Sequence, residues 1–373
     1  MRSAAVRTPV TLLTGFLGSG KTTLLNRLLA DPAAGRTAVV MNEAGEVPLD
    51  HDLVLETTET LVLLRSGCVC CTVRGDLAFT LLDLDRRRAA GELGFERVVV
   101  ETTGLADPAP ILQTLSADGA IARRYALDGV VTTADALHGP ATLDAQFEAV
   151  SQVAMADRIV VTKAECVDPA ALFAFEARLA ALNPGAPRLR AAFGRVPPGA
   201  LFGLGRVDEA DAAAARAWVD APAFAAATAA STAALAADPA AQLVAATGLR
   251  RPAPAPSALS RASVAAPGSF RHDAEITSRG AVIDRPIAPD VFELWLMTMI
   301  RMMGPNILRM KAIVHVEGAP TPFAIHGVRD VVDPPVPLPR WPAEDRSSRI
   351  VVIGRNLPLA LLEDSFAFLR LRP

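Results

Sequence analysis

Eight residues near the start of the chain, Gly15 to Thr22, read GFLGSGKT, which satisfies G-x-x-x-x-G-K-[ST] directly after an apolar run. Such a loop turns backbone N–H groups inward to cradle phosphate oxygens, and the helix that follows adds its positive dipole end. Gly15, Gly18, Ser19, Gly20, Lys21, Thr22 and Thr23 are therefore expected to line a nucleotide phosphate site. Within it the Lys21 ammonium reaches the β and γ phosphates and the Thr22 hydroxyl ligates Mg²⁺. An acidic partner for that metal is expected at a neighbouring strand end, and FERVVVETTG supplies Glu101 there. Gly104, three residues on, offers an N–H that can sense a γ-phosphate. Lys21, Thr22 and Glu101 form the expected catalytic set.

A third segment, IVVTKAE, ends another apolar run. Thr162, Lys163 and Glu165 resemble an [NT]-K-x-D loop, in which the acid accepts hydrogen bonds from guanine N1 and N2 while the lysine stem covers the base. Glutamate stands here in place of aspartate, one methylene longer, so guanine selectivity is expected to survive with a reduced margin. A site built around one hydrogen-bonding pattern discriminates strongly, and a displaced acceptor relaxes it.

The sequence Gly67 to Cys71, GCVCC, holds three of the four cysteines. Soft thiolates select ions such as Zn²⁺ or Cu(I), and three sulfurs in four residues converge on one ion if the chain turns sharply. Cys68, Cys70 and Cys71 leave a fourth position of a tetrahedral site for water, histidine or a carboxylate, an arrangement suited to transfer. A reversible redox pair and plain buried cysteines are the other readings. Cys166 stands apart and is expected to serve only structure.

These residues need a scaffold that brings distant loops together. Apolar runs at Val10–Leu13, Ala38–Met41, Arg97–Glu101, Gly129–Thr133 and Ile159–Thr162 read as strands. Amphipathic stretches at Thr22–Ala30, Asp76–Ala89, Ala141–Ala156 and Pro169–Leu182 read as helices between them. Strands that are apolar throughout belong in a parallel sheet covered on both faces. The pattern predicts an α/β fold, a P-loop NTPase with a doubly wound, mostly parallel sheet over residues 1–193. Residues 194–267 are rich in alanine and proline and read as a linker with weak helices around Trp218 and Leu235. Residues 268–373 read as a smaller α+β C-terminal domain. Its strands are expected at Ala281–Asp284, Ala312–Glu317, Phe323–Val328 and Ile350–Ile353, and its helices at Pro289–Met303 and Leu359–Leu369.

Bulk properties fit this picture. The 373 residues allow two domains of ordinary size, and the net charge of −3 argues against a nucleic-acid surface. No apolar run of roughly eighteen residues occurs, so no membrane is expected as a partner. Arg2, Arg7 and the apolar run after them superficially resemble a leader, but that run passes straight into the glycine loop and reads as a first strand. Clustered cysteines and a large chain point to a reducing, cytoplasmic setting rather than a disulfide framework.

Taken together, GFLGSGKTT, MNEAGEVPLD, GCVCC, ETTGLADP, ALDGVVTTADALH and QVAMADRIVVTK resemble the CobW-type branch of the SIMIBI-class metallochaperone GTPases, relatives of UreG and HypB. FRHDAEI, FELWL, AIHGV and DRSSRIVVIGR resemble that family's C-terminal domain. The resemblance implies GTP and Mg²⁺ at the phosphate loop, with Zn²⁺ or Co²⁺ at the cysteines. It assigns Glu101 to Mg²⁺ and makes Glu43, Glu46 and Asp50 a switch segment near the cysteines, with Glu43 a candidate ligand; apart from the resemblance, His51 beside that segment in the sequence is a further candidate for the fourth ligand. It further implies slow GTP hydrolysis and delivery of the ion to a client metalloenzyme or other metal-insertion target; a homodimer is left open. A histidine-rich store found in many relatives is missing, which suits transfer of single ions. The competing readings are a small-molecule P-loop kinase, for which no arginine-rich lid is seen, and a thiol redox sensor.

Overall fold

The computed structural model describes residues 7–41, 61–63, 73–204, 276–333, 335–338, 340–341 and 346–370. Seven strands build the first sheet: β1 (Thr8–Gly15), β2 (Thr37–Met41), β3 (Leu61–Leu63), β4 (Arg97–Glu101), β5 (Tyr125–Asp135), β6 (Arg158–Thr162) and β7 (Arg188–Arg190). They run in the order β3-β2-β4-β1-β5-β6-β7, and every pairing is parallel. Between them lie α1 (Lys21–Leu29), α2 (Val73–Ala89), α3 (Ala109–Ala117), α4 (Gly119–Ala122), α5 (Gly139–Ala145), α6 (Phe147–Met155) and α7 (Pro169–Leu182).

Residue alternation explains why both sheet faces are covered. On β4, Val98 and Val100 enter one core with Val10 and Leu12, while Val99 enters another with Leu13 and Val39. Each fully buried side chain of this size contributes roughly 2 kcal/mol. Leu24, Leu25 and Leu28 of α1 cover the second face together with Leu201 and Phe202. The first face is covered by Leu77, Leu81 and Leu84 of α2 and by Leu172, Phe175 and Leu179 of α7. Arg97 lays its guanidinium over the Phe202 ring at 4.1 Å, which seals the second core at its edge.

The helix expected over Ala141–Ala156 is two helices. Gln146 adopts extended backbone (φ −127°, ψ 112°) and separates α5 from α6. The reason lies in α6, where every residue from Ala149 to Met155 is buried. A helix buried on every side, Ser151 and Gln152 included, has to run through the interior, whereas α5 keeps exposed positions, so the chain bends between them.

The second sheet is antiparallel. It comprises β8 (Ile276–Ile283), β9 (Ile307–Val314), β10 (Phe323–Val328), β11 (Val331–Val332), β12 (Val336–Pro337) and β13 (Ser348–Arg355), with α8 (Pro289–Met303) and α9 (Leu359–Phe368) on one face. Phe292, Trp295 and Met299 of α8 meet Leu362 and Phe366 of α9 in a core of their own. The opposite face supplies Leu308, Val328, Val351 and Ile353 to the core of the first sheet. Buried polar groups cross the same boundary. Arg309 donates to both carboxylate oxygens of Asp157 at 2.9 and 3.1 Å, and Lys311 pairs with the same carboxylate. Burial pushes the Asp157 carboxyl up, but the two cations outweigh it and hold it well below the usual range. The expected weak helices around Trp218 and Leu235 lie outside the described residues, and among the described residues no helix is long and apolar enough to cross a membrane.

Candidate functional site: a phosphate loop at the sheet's switch point

Strands after β1 are laid first to one side of it (β2, β3, β4) and then to the other (β5, β6, β7). Ligands of open α/β sheets bind at the carboxyl ends of strands where the order reverses, and GFLGSGKT leaves β1 at that point. Gly15 (φ 143°) is required there: a Cβ would meet the Thr133 hydroxyl at 2.1 Å and its carbonyl at 2.6 Å. Gly20 (φ 90°) takes the left-handed turn that starts α1.

Lys21 opens α1 and is buried. Its ammonium donates to the Gly15 carbonyl at 2.9 Å and to that of Phe16 at 3.2 Å, so it arches back over its own loop. Burial lowers its pKa, and the nearby Glu101 charge works the other way. The Thr22 hydroxyl donates to Glu101 Oε1 at 3.0 Å, bringing together two oxygens from 79 positions apart. The sequence-predicted set Lys21, Thr22 and Glu101 is thus assembled in one place. A hydroxyl and a buried carboxylate side by side are hard oxygen donors of the kind Mg²⁺ takes.

The segment expected to read the base, from Thr162 to Glu165, is fastened to the back of the loop. The Thr162 hydroxyl donates to the Ser19 carbonyl at 2.8 Å, and the Lys163 ammonium to the Gly18 carbonyl at 2.9 Å. Glu165 lies exposed on the short 3₁₀ turn Ala164–Cys166 just beyond. Gly104 rests on the loop from the other side, since a Cβ there would meet the Leu17 backbone nitrogen at 2.4 Å. Gly194 approaches Thr23 at 3.0 Å by the same measure.

Several supporting residues escaped the sequence reading. Asp135 pairs with Lys163 at 2.6 Å and also accepts the backbone N–H groups of Leu137 and His138. Thr133 shares a 2.6 Å hydrogen bond with Ser19, and Thr102 donates to Thr14 at 2.8 Å. Gln152, fully buried on α6, donates to the carbonyls of Gly104 and Ala106 at 3.0 and 3.1 Å and so fixes the loop after β4. Polar side chains inside otherwise apolar strands and helices were the available signal. Beside the loop, Phe16, Ser19, Asp135, His138, Val153 and Phe175 contribute to a mostly apolar cavity of about 240 Å³.

Cys68, Cys70, Cys71, Glu43, Glu46, Asp50 and His51 lie outside the described residues. Among the described residues no three histidine, cysteine or acidic side chains are grouped to hold a metal. Cys166 is exposed rather than packed, and His315 is occupied with the Arg346 carbonyl and the edge of Trp341.

Comparison with known proteins agrees with this geometry. Residues 9–190 match the CobW/HypB/UreG nucleotide-binding domain and residues 276–369 the cobalamin synthesis protein CobW C-terminal domain. The chain is 41% identical over 193 residues to the zinc chaperone YjiA of Escherichia coli, covering 52% of this chain and 60% of that protein. It is 34% identical over 195 residues to the zinc-regulated GTPase metalloprotein activator 1 of Schizosaccharomyces pombe, covering 50% and 46%. The matched region thus spans about half of these relatives' length. A crystal structure of Zn(II)-bound YjiA GTPase from E. coli superposes with a TM-score of 0.66 at 27% identity, over 98% of this chain and all of that one. With both of its sheets matched, each to its own part of one architecture, the chain belongs to the CobW/HypB/UreG family and to its CobW branch.

Proposed function

We propose that the protein is a GTP-binding, slowly GTP-hydrolysing metallochaperone that carries a transition metal, Zn²⁺ or Co²⁺, on Cys68, Cys70 and Cys71 and passes it to a client metalloprotein. The observation that carries the nucleotide half is the wiring of one loop to three strand ends: Lys21 folded over it, Thr22 on Glu101, and Thr162 and Lys163 holding its back. In this reading the loop N–H groups and the Lys21 ammonium bind the β and γ phosphates. Thr22 and Glu101 hold Mg²⁺, which supplies positive charge against the charge that develops on the transferred phosphoryl oxygens. Positioning and electrostatics are then the whole of what these side chains contribute. Lys163 and Glu165 read the base. The relatives named as zinc chaperones and as a zinc-regulated GTPase support the metal half.

A γ-phosphate that orders the segment from Glu43 to Asp50 would set the affinity of the neighbouring cysteines. The test is titration of the reduced protein with Zn²⁺ and Co²⁺ in the GDP state and with a non-hydrolysable GTP analogue. Thiolate-to-cobalt charge-transfer absorption is expected, dependent on nucleotide, and lost when Cys68, Cys70 and Cys71 are changed to serine. Binding that ignores both nucleotide and cysteines would leave a P-loop NTPase with thiols in another role, such as redox sensing.

A further inference from the structure

Strands β6 and β7 lie side by side, and each is followed by a non-glycine residue in left-handed backbone. After β6 it is Lys163 (φ 55°), whose ammonium grips the phosphate loop. On β7, Arg190 is in register with Val161, and the Ala191 N–H donates to the Val161 carbonyl at 2.8 Å. The chain therefore leaves β7 beside Thr162 and Lys163. Two residues later stands Phe193 (φ 51°), followed by Gly194 (φ 76°). The two form the tip of a tight turn closed by the Arg195 N–H on the Ala192 carbonyl at 3.0 Å. Its backbone is seated on α1, because a Cβ on Gly194 would come within 3.0 Å of the Thr23 methyl.

Stability alone does not explain Phe193. Two-residue turns with positive φ at both positions favour Asn-Gly or Gly-Gly, and a bulky residue there is strained. The side chain is also 70% exposed, so its ring recovers little from burial. Strain held at such a point is a sign of function, and the place is specific: between the lysine that covers a base and the helix that starts at the phosphates.

We propose that the Phe193 ring is the platform on which the base of the bound guanosine nucleotide stacks. The inference rests on the nucleotide reading above and extends it. Stacking needs only a π-face and does not distinguish one base from another, so Phe193 supplies affinity while Glu165 supplies selectivity. A glycine at 193 would relieve the backbone strain, which makes Phe193→Gly a variant whose folding is not in question.

The experiment is calorimetric binding of GDP, and of inorganic tripolyphosphate as a probe without a base, to the full chain with Mg²⁺. Phe193→Ala and Phe193→Gly should bind GDP about tenfold more weakly, and Phe193→Trp within about twofold of the native protein. Tripolyphosphate should bind all four proteins alike. Unchanged GDP affinity in the alanine and glycine variants would overturn the proposal. A parallel loss for GDP and tripolyphosphate would overturn it too, since the ring would then be bracing the loop rather than meeting a base. Failure of the native protein to bind GDP or GTP would instead remove the nucleotide reading itself, and this inference with it.

Discussion

Burial holds the Lys21 pKa below its ordinary value, with the Glu101 charge opposing. The ammonium is kept in place by two carbonyls of its own loop, so a phosphate arriving there meets a charge that is already oriented and poorly solvated. On the proposed function, selectivity is set at the same scale. Glu165 is exposed and one methylene longer than the aspartate its neighbours Thr162 and Lys163 lead one to expect. GTP should be hydrolysed faster than ATP, and Glu165→Asp should widen the ratio of kcat/KM several-fold; equal turnover of both nucleotides by the native protein would refute this. Lys21, Thr22 and Glu101 were legible because each sits at a fixed offset from glycines in its own segment. Asp135, Thr133 and Gln152 were not, because the groups they hold lie 28, 114 and 48 positions away along the chain.

Strands and helices carried their own signal wherever packing obeyed one period. Arg97–Glu101, Pro169–Leu182 and Pro289–Met303 coincide with the expected elements because their apolar residues follow the pattern of a covered strand or a one-sided helix. The short strands Leu61–Leu63 and Arg188–Arg190 offered too few residues for any period to register. The bend at Gln146 was hidden because α5 and α6 both mix apolar with polar residues and differ chiefly in how deeply they are buried. The segment between β4 and α3 gives a direct test at this scale. A methyl group at position 104 would collide with backbone atoms of Leu17 at 2.4 and 2.7 Å, and Gln152 prevents the segment from retreating. Gly104→Ala should weaken GTP binding at least tenfold and lower stability by about 1–3 kcal/mol, read by calorimetry and denaturant titration. Native affinity in that variant would show that the contact does not set the loop.

At the scale of the molecule, the boundary between the two sheets combines apolar packing with an unbalanced set of charges. Asp157 faces both Arg309 and Lys311, and on the same sheet His326 is in register with Lys311. His326 is half-buried as a residue, but both ring nitrogens are shielded and have no hydrogen-bond partner. Burial, with Lys311 and Arg309 adding to it and Asp157 opposing, pushes its pKa down to about 3 from 6.5. Below pH 6.5 the unfolded chain therefore takes up a proton that the folded chain refuses, and stability falls as pH drops toward about 3. Asp157 does not interfere in this window, because its stabilisation is lost only below its ordinary value of 3.8. Between pH 7 and pH 5 the native protein should lose about 2 kcal/mol more than His326→Leu in denaturant titrations. Parallel losses would count against the reading.

The shared carboxylate of Asp157 also bears on how the chain can be cut. The face of the second sheet that meets the first carries Leu308, Val328, Val351 and Ile353 around two cations whose counter-ion belongs to the other half. Severing the chain in its alanine- and proline-rich stretch would hand each fragment one side of a matched pair: an oily surface with stranded charge on one piece, an orphaned acid on the other. Each piece would keep its own core but lose the cover that the other gives this surface. The two sheets are better regarded as halves of a single fastening, produced together and meant to stay closed.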